Sequence, residues 1–242
     1  MKILIIRHGD PDYSIDSLTE KGWREAELLS EKLKNIPAVG YYCSPLGRAK
    51  DTASLTLKKV GKEAEIYPWL REFQTAARRP DLAEPLDYPW DWLPADWAEE
   101  DIFYTDKWYD HPAMAEGNAE ANYKRVCDEL DKLIARHGYV REGRLYKAVE
   151  ANNDTIMIFC HFGLECVLLS HLMNVSPMVL WHGACAAPSS VTTVVTEERR
   201  KGTAIFRMSS FGDVSHLYAG GEPPAFAARF CECYDNEDER HD

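Results

Sequence analysis

At 242 residues and 45% hydrophobic composition, the chain has room for one large α/β domain or two small ones around an ordinary globular core. Its net charge of −12 argues against a general binder of nucleic acid or of membrane surfaces, since both partners are polyanions. No apolar run approaches the ~18–20 residues that a membrane span needs. The run at residues 1–6 is also too short for a signal peptide and lacks a small-residue cleavage site, which predicts a cytoplasmic protein.

In chain order, residues 2–6 (KILII) read as a buried strand, and residues 17–34 as an amphipathic helix with Thr19 as N-cap. A second strand at 39–43 ends in Ser44-Pro45, a loop-to-helix signal, and a helix follows over 46–59. Residues 64–67 form a third strand. Residues 122–137 form a helix whose apolar stripe holds Val126, Leu130, Leu133 and Ile134. A buried strand at 155–160 (TIMIFC) leads into a helix over 163–173. Two strands, 191–196 and 203–208, are joined by a charged turn. Strands alternating with helices predict a three-layer α/β sandwich: a mostly parallel sheet, helices on both faces, and an antiparallel edge formed by the last two strands. Residues 75–120 break this rhythm with Trp90, Trp92, Trp97, Trp108, several prolines and many acids. A segment longer than about 12–15 residues carries structure or function of its own, so it is predicted to be a cap inserted into one domain spanning 1–242. The acidic tail at 235–239 is expected to be disordered. Of seven cysteines, Cys43, Cys127, Cys160, Cys166 and Cys185 are expected to act as small hydrophobes. Cys231 and Cys233, with His241, fit no zinc spacing.

Ligands of open α/β sheets bind at the carboxyl ends of the strands. Those ends carry Arg7-His8-Gly9, then Ser44 to Arg48, then Leu70-Arg71-Glu72, then His161. His8, His161, Arg7, Arg48 and Glu72 are therefore expected to converge from four distant segments. Phosphoryl transfer uses these residue types. Neutral imidazole is a nucleophile near pH 7. Arginine holds the equatorial phosphoryl oxygens as a fixed charged fork. A carboxyl with a raised pKa protonates the leaving alkoxide.

The ordered set of motifs resembles the histidine phosphatase superfamily, which includes the cofactor-dependent phosphoglycerate mutases. The motifs are Arg7-His8-Gly9, Leu18-Thr19-Glu20-Lys21-Gly22, Ser44-Pro45-Leu46-Gly47-Arg48-Ala49, Cys160-His161-Phe162-Gly163 and Gly212-Asp213-Val214-Ser215-His216-Leu217. The resemblance implies that His8 is the nucleophile, that Arg7, Arg48 and His161 form the phosphate pocket, and that Glu72 is the proton donor and later the base for water. Two departures stand out. Asp10-Pro11 follows the triplet where many relatives have Glu-Thr, and Ser14 occupies the position of an Asn that contacts phosphate. Phe73-Gln74-Thr75 follows Glu72 where the mutases carry an Arg-His-Tyr-Gly run.

The expectation is a metal-independent phosphatase of small-molecule monoesters, with neither metal nor cofactor and with no nucleic-acid or membrane partner. A phosphoglycerate mutase and a catalytically silent phospholigand-binding protein are the alternatives. Arg78 is a candidate to reach the cleft and bind a carboxylate or second phosphate, the alternative being a solvated surface pair with Arg79. The cap tryptophans either stack on a substrate or, the commoner use, pack the insert against the body. His182 and His216 are candidates to support the site from behind. The sequence leaves the oligomeric state open.

Overall fold

The computed structural model describes residues 1–226 and 229–241. The chain opens with β1 (Lys2–Arg7), a short pair β2 (Pro11–Asp12) and β3 (Ser17–Leu18), and α1 (Glu20–Leu33). Next come β4 (Gly40–Cys43), α2 (Gly47–Val60) and β5 (Glu65–Ile66). The inserted segment holds the single-turn α3 (Pro94–Trp97) and leads into α4 (Ala119–Ala135). A hairpin, β6 (Tyr139–Glu142) and β7 (Leu145–Ala148), precedes β8 (Thr155–Cys160) and α5 (Phe162–Met173). The chain continues through α6 (Pro177–Gly183), β9 (Val191–Arg200), β10 (Thr203–Asp213) and α7 (Ser215–Ala219).

One eight-stranded sheet runs in the order β5-β4-β8-β1-β9-β10-β7-β6. The pairings β5–β4, β4–β8 and β8–β1 are parallel, and those from β1 outward through β9, β10, β7 and β6 are antiparallel. The antiparallel edge is wider than the two strands expected, because β6 and β7 join it. Their charged, four-residue segments give little apolar alternation to read. The period-two alternation of the central strands makes the layers. Ile3, Ile5, Ile156 and Ile158 face one apolar cluster, which includes α4 and α5 side chains. Leu4, Ile6, Met157 and Phe159 face the other, which holds Leu29, Leu33, Ala49 and Ala53 of α1 and α2.

Thr19 caps α1 as expected, its hydroxyl accepting from the Gly22 N–H at 3.0 Å. The helix nonetheless starts at Glu20, because Ser17 and Leu18 pair with Asp12 and Pro11. Helix α5 is buried along nearly its whole length, so it is apolar all round and shows no clear stripe. Among the described residues, no helix is long and apolar enough to cross a membrane.

The insert is a cap of short helical turns. Its two ends are tied where the Thr75 hydroxyl donates to the Gly117 carbonyl at 2.8 Å. Glu116-Gly117-Asn118 thus closes the base of the cap. Trp108 is fully buried, edge-on to Trp181 at 5.3 Å and to Tyr123 at 5.6 Å. The acidic tail departs from expectation. Residues 229–241 fold back on the body, with the Cys231 N–H donating to the Arg240 carbonyl at 2.8 Å and Arg240 paired to Asp91 of the cap. The run is held by contacts that its composition does not show: Arg240 meets Asp91, and its guanidinium lies over the Phe230 ring at 4.1 Å.

Candidate active site

Sheet register brings the two histidines together. Arg7 pairs opposite Cys160, so the chain leaves β1 and β8 side by side, and the His8 N–H donates to the Cys160 carbonyl at 3.0 Å. The ring centroids of His8 and His161 lie 5.1 Å apart. On the other flank of β8, Cys43 pairs with Phe159, which delivers Ser44 to hydrogen-bond the His161 Nε2 at 2.7 Å.

The protonation of His8 follows from its bonds. Its Nδ1 lies 2.8 Å from the Gly9 carbonyl, an acceptor only, so Nδ1 carries the proton and Nε2 keeps its lone pair. Arg48 Nε is 3.4 Å from that Nε2. Burial, then the charge of Arg7, pushes the His8 pKa well below the usual imidazole range. Burial lowers His161 likewise, with help from the neighbouring His8 and Arg48. Both rings are therefore neutral near pH 7. The Ser44 hydroxyl accepts from the Leu46 N–H at 3.2 Å and lies 2.7 Å from His161 Nε2. His161 Nδ1 and Arg7 Nε are buried without a protein partner, and the tautomer with the proton on Nδ1 makes both of them donors. Buried polar groups are normally satisfied, and an anion's oxygens would satisfy both.

Arg7 is buried, donates to the Ala186 carbonyl and lies over the Phe162 ring at 5.6 Å. Arg48 is held by Asp16, Nη1 to Oδ1 at 2.7 Å, and lies 5.3 Å from the centroid of Tyr13. Asp16 also accepts from the Gly47 N–H at 2.7 Å, and a Cβ on Gly47 would fall 1.9 Å from the Asp16 carbonyl oxygen. Only glycine lets this loop approach closely enough to brace Arg48.

Glu72 is half-buried at the N-terminus of α5. It accepts from the backbone N–H of Phe73 at 2.8 Å and Leu164 at 2.9 Å, with Gly163 at 3.4 Å. Burial raises its pKa; those N–H groups and Arg7 pull against the rise. Beneath Arg7 lies a second carboxyl, Glu165, which burial pushes from an ordinary 4.5 up to about 7 against the pull of the Thr192 hydroxyl and Arg7. A raised pKa means that the folded chain binds this proton more tightly than the unfolded one. The stability it carries is complete below the unfolded value and is lost as pH rises through about 7. Glu165→Gln removes the titration. Its stability relative to the parent should therefore increase by on the order of 2–3 kcal/mol between pH 5 and pH 9. Urea unfolding at the two pH values checks this, and a constant difference would contradict it.

Above the floor opens a cavity of about 660 Å³. Arg7, Arg48 and Glu72 line one end, and the cap contributes Tyr88, Trp90, Trp92 and Trp97. Trp181, His182, Cys185 and the tail residues Phe230 and Arg240 complete the walls. Trp90, Trp92 and Trp97 thus line the cavity, while Trp108, together with the buried Trp92, packs into the core cluster. The structure brings His8, Arg7, Arg48, His161 and Glu72 together. Two candidates fall elsewhere. Ser14 is exposed and spends its hydroxyl and N–H on Asp12 Oδ1, because the turn points Tyr13 into the cavity instead. Arg78 pairs with Glu116 at 2.6 Å on the outside of the cap, and Arg79 is drawn to Asp81. Cys185 is exposed, so it does not act as a core hydrophobe.

Residues outside the floor brace its loops. Thr52 accepts from the Gly9 N–H at 2.9 Å and donates to the Arg48 carbonyl at 2.8 Å, joining the two loops. Ser189, at φ 60°, donates its N–H to the His8 carbonyl at 2.9 Å, and His216 hydrogen-bonds the Ser189 hydroxyl at 3.1 Å. His216 thus braces the His8 loop from behind. His182 lines the cavity and stacks on Trp97 with centroids 4.8 Å apart.

The chain is 24% identical over 199 residues to the adenosylcobalamin/alpha-ribazole phosphatase of Salmonella typhimurium, covering 75% of this chain and 84% of that protein. It is 38% identical over 74 residues to a 2,3-bisphosphoglycerate-dependent phosphoglycerate mutase of Thermoplasma acidophilum, a match spanning 26% of this chain and only 37% of the mutase. Among solved structures, a mycobacterial glucosyl-3-phosphoglycerate phosphatase shares the fold with a TM-score of 0.59 at 19% identity, covering 87% of this chain and 98% of that one. A phosphoserine phosphatase mutant from Entamoeba histolytica, in complex with phosphoserine, gives 0.58 at 19% identity, covering 89% and 98%. The family model for the histidine phosphatase superfamily, branch 1, matches residues 3–207. The chain belongs to the histidine phosphatase superfamily.

Proposed function

We propose that this protein is a metal-independent phosphatase that hydrolyses monophosphate esters of small molecules through a phosphohistidine at His8. One observation carries the reading: a neutral His8 whose Nε2 lone pair faces Arg48, which lines the same cavity as a carboxyl of raised pKa, Glu72. Nε2 forms a bond to phosphorus while the P–O ester bond breaks. The leaving oxygen takes the proton of Glu72. Water then attacks the phosphohistidine, giving a proton back to Glu72, and inorganic phosphate departs with His8 restored. Arg7 and Arg48, with the Nδ1–H of His161, stabilise the charge spread over the equatorial oxygens.

The phosphatases among the relatives support hydrolysis over isomerisation, and so does the charge of the cavity. A mutase must hold a second phosphate with further cations. Here Arg78 and Arg79 are engaged within the cap, and Arg240 at the mouth is paired to Asp91. The assembled nucleophile, arginines and acid argue against a silent binding module. Phosphate release from monophosphate esters is expected to persist in excess chelator, with little conversion of 3- to 2-phosphoglycerate. A strict requirement for added Mg²⁺ or Zn²⁺, or rapid isomerisation with negligible phosphate release, would overturn the proposal.

A further inference from the structure

The cavity is far larger than a phosphate needs. At about 660 Å³ it falls within the range that encloses drug-sized ligands. Arg7 and Arg48 lie at the floor, Arg240 at the mouth is paired to Asp91, and the walls are aromatic: Trp90, Trp97, Phe162 and Trp181 among them.

The placement of Trp90 is the decisive feature. Glu72 must give its proton to the leaving oxygen, so the group carrying that oxygen lies beside the Glu72 carboxyl. A Cβ built on Gly163 would meet the six-membered ring of Trp90 at 2.4 Å and the Glu72 Oε1 at 2.8 Å. The indole edge and the acid therefore converge on the same backbone atom. The glycine is what lets the tryptophan close over the N-terminus of α5. Trp90 is also held in place. Tyr88 stacks on it with centroids 5.1 Å apart, Trp181 leans on it at 5.7 Å, and Phe73 stacks on Trp181 at 5.7 Å. Tyr88, Trp90 and Trp181 form a continuous, preordered wall that begins at the proton donor, with Phe73 packed behind it. Phe162, backed by the Arg7 guanidinium, lies at the phosphate end.

We propose that this site selects monophosphate esters whose alcohol carries a planar aromatic body, with Trp90 as the specificity-determining residue. This rests on the phosphatase reading, in that it takes the phosphate to sit on His8, Arg7 and Arg48. Aromatic surfaces prefer offset or edge contact with aromatic partners, and a wall that is rigid beforehand loses little freedom on binding. A second anionic group finds no unpaired arginine among the described lining residues, because Arg240 is joined to Asp91.

The test compares two pairs of ligands on the full chain. 2-(2-Naphthyl)ethylphosphonate and ethylphosphonate differ in the aromatic body and cannot be hydrolysed; calorimetry measures their binding. The corresponding phosphate esters, which have similar leaving groups, are assayed for turnover. The naphthyl phosphonate is expected to bind tenfold or more tightly than ethylphosphonate, and the naphthyl ester to show a matching advantage in kcat/KM, carried by KM. Trp90→Ala should bring the binding ratio to within about threefold of unity, and Trp90→Phe should keep most of it. Equal affinity of the two phosphonates for the wild type overturns the aromatic selection, whether or not any variant folds. Selective binding without turnover of either ester would instead overturn the phosphatase reading and leave the aromatic site standing.

Discussion

Replacing His8 with alanine is expected to lower kcat/KM for any monophosphate ester by roughly 10⁴-fold or more, since nothing else in the cavity has its position and lone pair. His161 cannot substitute. Its Nε2 is engaged by Ser44, and the proposed role of its Nδ1–H as a donor to phosphate leaves no free lone pair on the ring. The fold should survive. The alanine keeps the backbone bonds from the residue-8 N–H to Cys160 and from the Ser189 N–H to the residue-8 carbonyl. Far-ultraviolet circular dichroism and the unfolding midpoint should therefore remain near the parent's while turnover is lost. Retention of more than about a tenth of the activity would move the nucleophile elsewhere.

The second large effect concerns Glu72 and depends on the substrate. Glu72→Gln keeps an acceptor for the Phe73 and Leu164 N–H groups but has no proton to give. Esters of alkyl alcohols, whose alkoxides leave poorly, should slow by about 10²–10³-fold, within the usual range of general acid catalysis. Formation of the phosphoenzyme from p-nitrophenyl phosphate should slow far less, because nitrophenolate hardly needs the proton. The pH profile gives an independent readout. Burial raises the Glu72 pKa, so in the wild type the acid form persists above the ordinary carboxylate range. The rate for alkyl esters falls only as pH rises through that raised value. His8 is shifted the other way and stays neutral below the usual imidazole range, so no loss is expected on the acid side near pH 6.5. In the glutamine variant the alkaline limb should vanish. An unchanged alkaline limb would assign it to another group.

The grouping of Arg7, His8, His161 and Arg48 was legible because each ends or follows a strand or opens a helix, whereas Glu72 lies in the loop beyond the turn at Pro68–Leu70. Arg7-His8 and His161 follow the two most apolar strands, and adjacency of β1 and β8 in the sheet is enough to bring them together. Arg48 opens α2 just after β4. What the sequence concealed depends on contacts between distant loops. Asp16 reaches Arg48 only because Gly47 permits a 2.7 Å approach. Ser14 looked suitable from its place after the triplet, yet one turn of backbone gives the cavity Tyr13 and gives Ser14 to Asp12. The cap was visible as a break in rhythm, but which tryptophans face inward could not follow from spacing, since the segment has no period. Trp108 is buried beneath the cap and Trp90 stands over Glu72. The tail's composition suggested disorder, and only the partner for Arg240 on the cap reveals its place at the cavity mouth.

The central claim is a covalent phosphoryl group on His8, and trapping it is the most direct measurement. The Glu72→Gln variant, mixed briefly with ³²P-labelled p-nitrophenyl phosphate, retains attack by His8 but lacks the base that activates water for the second step. Quenched and digested protein should then carry label approaching one equivalent, labile in acid and stable in base, on the peptide containing His8, and none when His8 is also alanine. Label on a serine or cysteine peptide, or no protein-bound label while phosphate is still released, would contradict the account.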